Sequence, residues 1–197
     1  PLIALLEPLR SRTSDLERSA IRIEHAYYCY IAQLMPSLRP PPPHLPSIFI
    51  VGDSHVLAAG WRTVRWRGAA WLLRPVLVTG LKAWHLRPAT HFYTRESFEA
   101  AVDLIPDGAA TIFALGQIDC REGLQQAVER SRYESLQQAV GTVVAIYVTR
   151  LKQLASARAF CVMVHPVPPA LSETRELAKL FNDALRRAVQ AEPSLHW

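Results

Sequence analysis

The chain has 197 residues, of which 50% are hydrophobic and 20% are charged, with a formal net charge of +5 at pH 7. This length fits one domain of ordinary size with an appended segment, and this composition excludes an intrinsically disordered chain. The longest stretch without a charged residue covers residues 135–149. It is shorter than the roughly 18 apolar residues that a membrane-spanning helix needs, so no transmembrane segment is expected.

Residues 1–35 show the periodicity of an amphipathic helix. Ser14 and Glu17 fit a capping box near its start. One apolar stripe then contains Leu16, Ile23, Tyr27, Tyr30, Ile31 and Leu34. The tyrosines of this stripe are candidates for a partner surface, but packing against the following domain is the simpler interpretation. We therefore predict an N-terminal helical arm.

Residues 36–46 form a proline-rich linker. Six of these eleven residues are proline, which fixes φ, removes amide donors and favours an extended polyproline II spacer. A ligand for a proline-reading module is the alternative interpretation, although a spacer of this length needs no partner. The linker marks the predicted boundary of a single domain over residues 47–197.

Residues 47–197 alternate short apolar runs with helical patterns. The runs are rich in β-branched residues and cover residues 47–51, 72–78, 111–115 and 160–164. Their continuous apolarity predicts strands buried on both faces, as in a parallel sheet covered by helices. The clearest helical patterns cover residues 133–154 and 172–190. We therefore predict a three-layer α/β/α fold with a flavodoxin-like, doubly wound parallel sheet.

Charge and cysteine content limit the partners and cofactors. The most basic segment, residues 61–74, carries four arginines. An amphipathic surface segment of this kind is usually a solvated face, so nucleic-acid binding is not expected. Three cysteines are too few and too far apart for a disulfide framework or a cysteine-based zinc site. We expect no metal, and a reducing compartment such as the cytoplasm is the default location.

Ser54 follows the first predicted strand, at the mouth of a helix expected to start near Val56. Chemistry in such sheets lies outside the carboxyl ends of the strands. A hydroxyl there projects from a tight turn, and the N–H groups of a helix start stabilise negative charge. This position predicts a nucleophile. The alternative is that Asp53 and Ser54 only cap the helix.

Three segments at strand ends resemble the conserved blocks of one enzyme family. Gly52-Asp53-Ser54 is similar to the first block of the SGNH, or GDSL, serine esterases and lipases. Val78-Thr79-Gly80 resembles the second block, and Gly116-Gln117-Ile118-Asp119 resembles the third. The resemblance implies that Ser54 is the nucleophile and that the backbone N–H of Gly80 binds the oxyanion. It also implies that Gly116, Gln117 and Asp119 belong to the oxyanion and substrate site, without any cofactor.

The third block departs from the family pattern. Ile118 stands where the family has an asparagine whose side-chain amide donates to the oxyanion. Loss of one such donor costs roughly 10²- to 10³-fold in rate, and the neighbouring Gln117 carries a possible substitute amide. The run Gly-Gln-Ile-Asp-Cys-Arg resembles a variant of this block, in which we expect Asp119 to pair with Arg121.

The family's general base is the second departure. Its last block, Asp-any-any-His, does not occur in the sequence. Residues 195–197 resemble the opening of a fifth strand, so we expect the missing block to follow the end of this chain. Within the chain, His165 ends the fourth predicted strand and is the candidate base, although two strand spacings, roughly 10 Å, separate it from Ser54. His55 is expected to diverge from Ser54, and His85 and His91 are interpreted as loop residues.

Two functions remain open at this point. The first is an SGNH-type serine esterase, acyl hydrolase or O-acyltransferase acting on a small or carbohydrate O-acyl ester. The second is a catalytically inactive SGNH-like binding module, because a fold does not fix a function. Nucleotide binding is not expected, because the turn after the first strand lacks the glycine spacing and the lysine of a phosphate loop.

Deletion of residues 1–46 is expected to leave a domain that still unfolds cooperatively, because the proline run separates the predicted helix from the sheet. Urea unfolding of the shortened chain, followed by far-UV circular dichroism, measures this. A broad transition without cooperativity would instead assign the helix to the core of the domain.

Overall fold

The computed structural model describes residues 44–88, 92–168 and 173–197. The predicted N-terminal helix and residues 36–43 of the predicted linker lie outside the described residues.

A six-stranded sheet forms the centre of the domain, with the strand order β2-β3-β1-β4-β5-β6. The strands are β1 (Ser47–Gly52), β2 (Thr63–Trp66), β3 (Ala69–Leu77), β4 (Ala110–Ala114), β5 (Cys161–Val164) and β6 (Leu195–His196). All neighbouring pairs are parallel except β2 and β3, which are antiparallel. The four strands predicted from apolar runs correspond to β1, β3, β4 and β5, and β6 confirms the strand expected at residues 195–197.

Within the described residues, four α-helices accompany the sheet: α1 (Tyr93–Asp103), α2 (Leu124–Glu129), α3 (Leu136–Arg158) and α4 (Arg175–Gln190). The patterns at residues 133–154 and 172–190 correspond to α3 and α4. Helix α3 begins after Ser135, whose hydroxyl accepts the N–H of Gln138, and ends at Ala159 in a left-handed conformation. The mostly parallel sheet and these helices confirm the predicted α/β class and are compatible with a three-layer arrangement.

Alternate residues of β1 face opposite sides of the sheet. Val51 belongs to the main hydrophobic cluster, which contains buried side chains from all four helices. Ile48 belongs to a smaller cluster with Leu73 and Ala110, against which side chains of the neighbouring strands and Ala59 pack. Burial on both faces explains why the strands appear in the sequence as continuous apolar runs.

Residues 61–74 form a surface segment in which all four arginines are exposed, which confirms the predicted solvated face. They contain the β2–β3 hairpin, in which Trp66 pairs with Ala69 across a two-residue turn. Arg67 and Gly68 both have positive φ, 50° and 79°, as a type I′ turn requires. The rings of Trp66 and Trp71 meet edge to face at 5.0 Å. These cross-strand contacts explain the aromatic residues between the arginines.

The described residues contain no α-helix that starts near Val56, where the sequence predicts one. A short 3₁₀ helix, Ser54–Ala58, follows β1 instead.

None of the described helices is long and apolar enough to span a membrane.

Two glycine-to-alanine substitutions are expected to change the stability of the domain in opposite directions. Gly68→Ala is expected to destabilise the domain by about 1 kcal/mol, because an alanine is strained at the positive φ of the hairpin turn. Gly141→Ala, inside α3 where an added methyl meets no atom within 4 Å, is expected to stabilise it by about 0.5–1 kcal/mol. Urea unfolding measures both free energies. Equal stability of the two variants would contradict the assigned hairpin turn.

Candidate functional site

Four segments leave the sheet at one edge, where the parallel strands end. Gly52 of β1 lies opposite Leu77 of β3 and Ala114 of β4. The N–H of Val78 donates to the carbonyl of Gly52 at 2.8 Å. On the far side of β4, the N–H of His165 donates to the carbonyl of Phe113 at 2.9 Å. The residues after β1, β3, β4 and β5 therefore converge on one edge, as predicted.

Glycines permit the close packing at this edge. An added Cβ at Gly52 would overlap the carbonyl group of Ala114. Gly116 has a φ of +110°, and an added Cβ there would lie 2.6 Å from the ring of Phe181. Gly80 also has a positive φ, +72°. The second and third blocks therefore have a glycine, Gly80 and Gly116, where the positive φ favours one. At Gly116 the neighbouring side chains also leave no space for a Cβ atom.

Ser54 is half-buried and opens the 3₁₀ turn after β1. Its hydroxyl makes no hydrogen bond to any other residue of the described ranges. The expected helix start, with its aligned N–H groups, is missing, because the turn is only five residues long. The expectation that Asp53 caps the segment is confirmed, since its carboxylate accepts the N–H of His55 at 2.9 Å.

Asp53 also binds the imidazole of His55. Its Oδ1 atom lies 2.7 Å from Nδ1 of the ring, while the carboxylate is only 1% exposed. Because a carboxylate only accepts, Nδ1 carries the proton and Nε2 is the basic nitrogen of the neutral ring. The other oxygen, Oδ2, is buried and has no hydrogen-bond partner among the described residues.

A cavity of about 440 Å³ lies at this edge of the sheet, and we call it the strand-end cavity. Its lining includes four polar residues that the sequence places near the strand ends, namely Asp53, His55, Gln117 and His165. Arg62 adds a fifth polar side chain, and apolar residues such as Ile50 and Val56 line the rest. Ser54, Gly80 and Gly116 do not line it. The structure therefore brings together only part of the predicted site.

His165 and Gln117 enter the strand-end cavity from β5 and β4. The Nδ1 atom of His165 donates to the carbonyl of Pro166 at 2.6 Å, which leaves Nε2 as its basic nitrogen. Strand β5 is two positions from β1 in the sheet, so the predicted lateral separation of roughly 10 Å from Ser54 is retained. Gln117 is 5% exposed, and its Oε1 atom is buried without a partner among the described residues.

Asp119 makes different contacts from the pairing with Arg121 that was predicted. It does not pair with Arg121, which bonds to the adjacent Glu122 at 2.7 Å. The buried carboxylate of Asp119 instead accepts the N–H groups of Ala83 at 2.8 Å and Trp84 at 3.1 Å. These bonds hold the loop that follows Gly80. Burial raises the pKa of Asp119 to about 6, although the two N–H bonds oppose this increase.

His85 stabilises the same loop. Its Nδ1 atom accepts the N–H of Lys82 at 3.1 Å and lies 3.0 Å from the hydroxyl oxygen of Thr94. Burial, together with the positive charges of Lys82 and Arg87, lowers the pKa of His85 to about 4. The ring is therefore neutral at physiological pH and holds the loop through hydrogen bonds, which the interpretation as an ordinary loop residue did not predict. His91 lies outside the described residues.

Metal binding and similarity to other proteins add no further assignment. Among residues 44–88, 92–168 and 173–197, no group of three or more His, Cys, Asp and Glu side chains could hold a metal ion. Comparisons with protein-family models, with curated proteins and with solved structures found no match for this chain.

The raised pKa of Asp119 predicts a specific pH dependence of stability. Between the ordinary pKa of 3.8 and the native value of about 6, the folded protein binds a proton that the unfolded chain has released. The stability of the wild type relative to Asp119→Asn should therefore fall as the pH rises from 4 to 6, by on the order of 3 kcal/mol, and then level off.

Urea unfolding of both proteins at several pH values measures this difference. Asp183→Asn is the matched control, because Asp183 is exposed and has no hydrogen bond or ion pair to other described residues. A difference between wild type and Asp119→Asn that stays constant from pH 4 to 7 would contradict the argument.

Proposed function

We propose that this protein is an SGNH-type serine esterase, acyl hydrolase or O-acyltransferase, built on a flavodoxin-like doubly wound sheet. Its proposed substrate is an O-acyl ester of a small alcohol or carbohydrate. The observation that carries the proposal is the convergence of four strand ends at one edge of a mostly parallel sheet. Ser54 follows β1 there, between Asp53 and His55, which both line the strand-end cavity.

The proposed chemistry is acyl transfer through Ser54. The Ser54 oxygen attacks the ester carbonyl carbon and its proton passes to a base, while the N–H groups of Ser54 and Gly80 hold the oxyanion. The intermediate collapses, the carbon–oxygen bond to the alcohol breaks and the alcohol takes up the proton. Water or a second hydroxyl then attacks the acyl-serine and releases the acid or a new ester. The amide of Gln117 is the proposed substitute for the donor that Ile118 lacks.

Two histidines of the chain are candidates for the base. His165 lines the cavity with a basic Nε2, but its distance from Ser54 requires movement of the segment after β5. His55 has the Asp–His arrangement that orients a catalytic imidazole, although it makes no hydrogen bond to Ser54. A histidine from outside these 197 residues, as the family resemblance implies, is the third source. Catalytic hydrogen bonds often form only when substrate binds, so the open geometry is compatible with each source.

The cavity chemistry favours an alcohol part with several hydroxyl groups. Asp53 Oδ2 and Gln117 Oε1 are buried acceptors without partners among the described residues, and an unmade bond of this kind costs roughly 1–3 kcal/mol. A ligand that donates hydrogen bonds would satisfy both atoms once the two side chains turn toward the cavity. The positive charge of Arg62 on the lining disfavours a cationic donor, so neutral hydroxyl groups fit better.

The second candidate function is a binding module without turnover. Ser54 has no hydrogen-bonded base among the described residues and does not line the cavity. These observations favour recognition of a polyol by the same acceptors, without attack on an ester.

Labelling by a fluorophosphonate probe separates the two functions. We expect the probe to label the wild type and Ser194→Ala, a control at an exposed serine, but not Ser54→Ala. Turnover of p-nitrophenyl acetate should be slow, because one oxyanion donor is replaced by Ile118. Absence of labelling, combined with saturable binding of a neutral polyol, would select the binding module. Labelling that survives Ser54→Ala would remove Ser54 from the mechanism.

Histidine substitutions identify the base. If His165 is the base, His165→Ala should lower the acylation rate of Ser54 by roughly 10²- to 10⁴-fold, and His55→Ala should have a smaller effect. His196→Ala, at an exposed histidine, is the control. Stopped-flow measurement of p-nitrophenol release gives the rates. If neither substitution changes a measurable rate, the base lies outside the described histidines.

A further inference from the structure

A second cavity, of about 320 Å³, lies apart from the strand-end cavity and shares no lining residue with it. We call it the basic cavity, because three cations line it: Lys82 from the loop after β3, and Arg130 and Arg132 from the turn after α2. The other lining residues include the carboxylates of Asp119 and Glu122, the rings of Trp84 and Tyr133, and the apolar side chains of Leu124 and Val143.

The three cations have no ion-pair partner among the described residues. Arg121, Lys152 and Arg158, by contrast, each pair with a carboxylate. Lys82 is half-buried, and the nearby carboxylate of Asp119 is engaged by two backbone N–H groups and forms no ion pair with it. Arg130 and Arg132 are exposed, so the positive charges beside the cavity are accessible and would attract a bound anion.

The local backbone holds both arginines beside the cavity. Helix α2 ends in a Schellman motif, in which the N–H of Arg132 donates to Ala127 at 2.9 Å and the N–H of Ser131 donates to Val128 at 2.8 Å. Ser131 adopts a left-handed conformation, with φ of 54°, that usually belongs to glycine. The turn that carries Arg130 and Arg132 is therefore tightly constrained.

The remaining walls are apolar and aromatic. The rings of Trp84 and Tyr133 meet nearly at right angles, with 6.3 Å between their centroids. Leu124 and Val143 are each only 2% exposed and form the apolar part of the lining. A flat hydrophobic group can contact these side chains, and its stacking on the aromatic rings is favourable.

From these observations, we propose that the basic cavity binds an aromatic monocarboxylate. Lys82, Arg130 and Arg132 bind the carboxylate, and the ring of the ligand lies against Trp84, Tyr133 and Leu124. An aromatic carboxylate fits better than inorganic phosphate, because the lining combines the cations with the apolar surfaces of Trp84, Tyr133 and Leu124. This site is independent of Ser54 and of the proposed ester chemistry.

Calorimetric titration of the full chain with 2-naphthoate tests the proposal. We expect saturable binding that weakens with added salt, and at least tenfold weaker binding of both the neutral analogue 2-naphthamide and inorganic phosphate. Equal affinity for naphthoate and naphthamide would show a purely apolar cavity and overturn the proposal. Tighter binding of phosphate than of naphthoate would also overturn it.

Substitutions assign the binding to this cavity. Lys82→Gln and the pair Arg130→Gln with Arg132→Gln should each weaken naphthoate binding about tenfold or more. Arg186→Gln, at an exposed arginine on α4, and Ser54→Ala should leave it unchanged. Thermal unfolding of each variant confirms that it is folded. Naphthoate affinity that is unchanged in folded Lys82→Gln and in the folded double variant would refute the site. Because Ser54→Ala enters only as a control, failure of the ester chemistry leaves this result intact.

Discussion

The carboxylate of Asp119 is the interaction on which the arrangement of both cavities depends. It is 2% exposed and accepts two backbone N–H groups from a loop 35 and 36 residues earlier in the chain. The bonds connect the turn after β4, which carries Gln117 of the strand-end cavity, with the loop that carries Gly80, Lys82 and Trp84. Its burial is unfavourable for the charge, as the raised pKa indicates, and the two N–H donors offset part of that cost.

Close backbone packing is the second constraint on this edge. Gly52 brings β1 against Ala114, and Gly116 brings the next turn against Phe181 of α4. A larger residue at either position would push the strand ends apart or displace a buried aromatic ring. The positions of the residues that line the strand-end cavity therefore depend on Gly52 and Gly116, which do not line it themselves.

The protonation of the two histidines connects the geometry with the proposed chemistry. In both His55 and His165, Nδ1 is bound to an oxygen acceptor, so Nε2 is the nitrogen available to accept a proton. The enzyme and the binding module differ at Ser54, which is adjacent to His55 in the sequence but does not line the cavity. The basic cavity adds a second recognition surface with different chemistry, in which cations and aromatic rings replace buried acceptors.

Local sequence patterns determined the α/β class, four of the parallel strands and the two longer helices, because continuous apolar runs and helical periodicity reflect burial directly. They also predicted that the residues after four strands meet at one edge of the sheet, because parallel strands end on the same side. Contacts between distant residues decided the rest. Asp119 bonds to a loop 35 and 36 residues away rather than to Arg121, two positions along. A hairpin and one short 3₁₀ turn replace the helix expected after Ser54. The local sequence pattern predicts neither outcome. A buried carboxylate accepts hydrogen bonds from the donors that the packed loops bring close to it, and these loops are distant from it in the sequence.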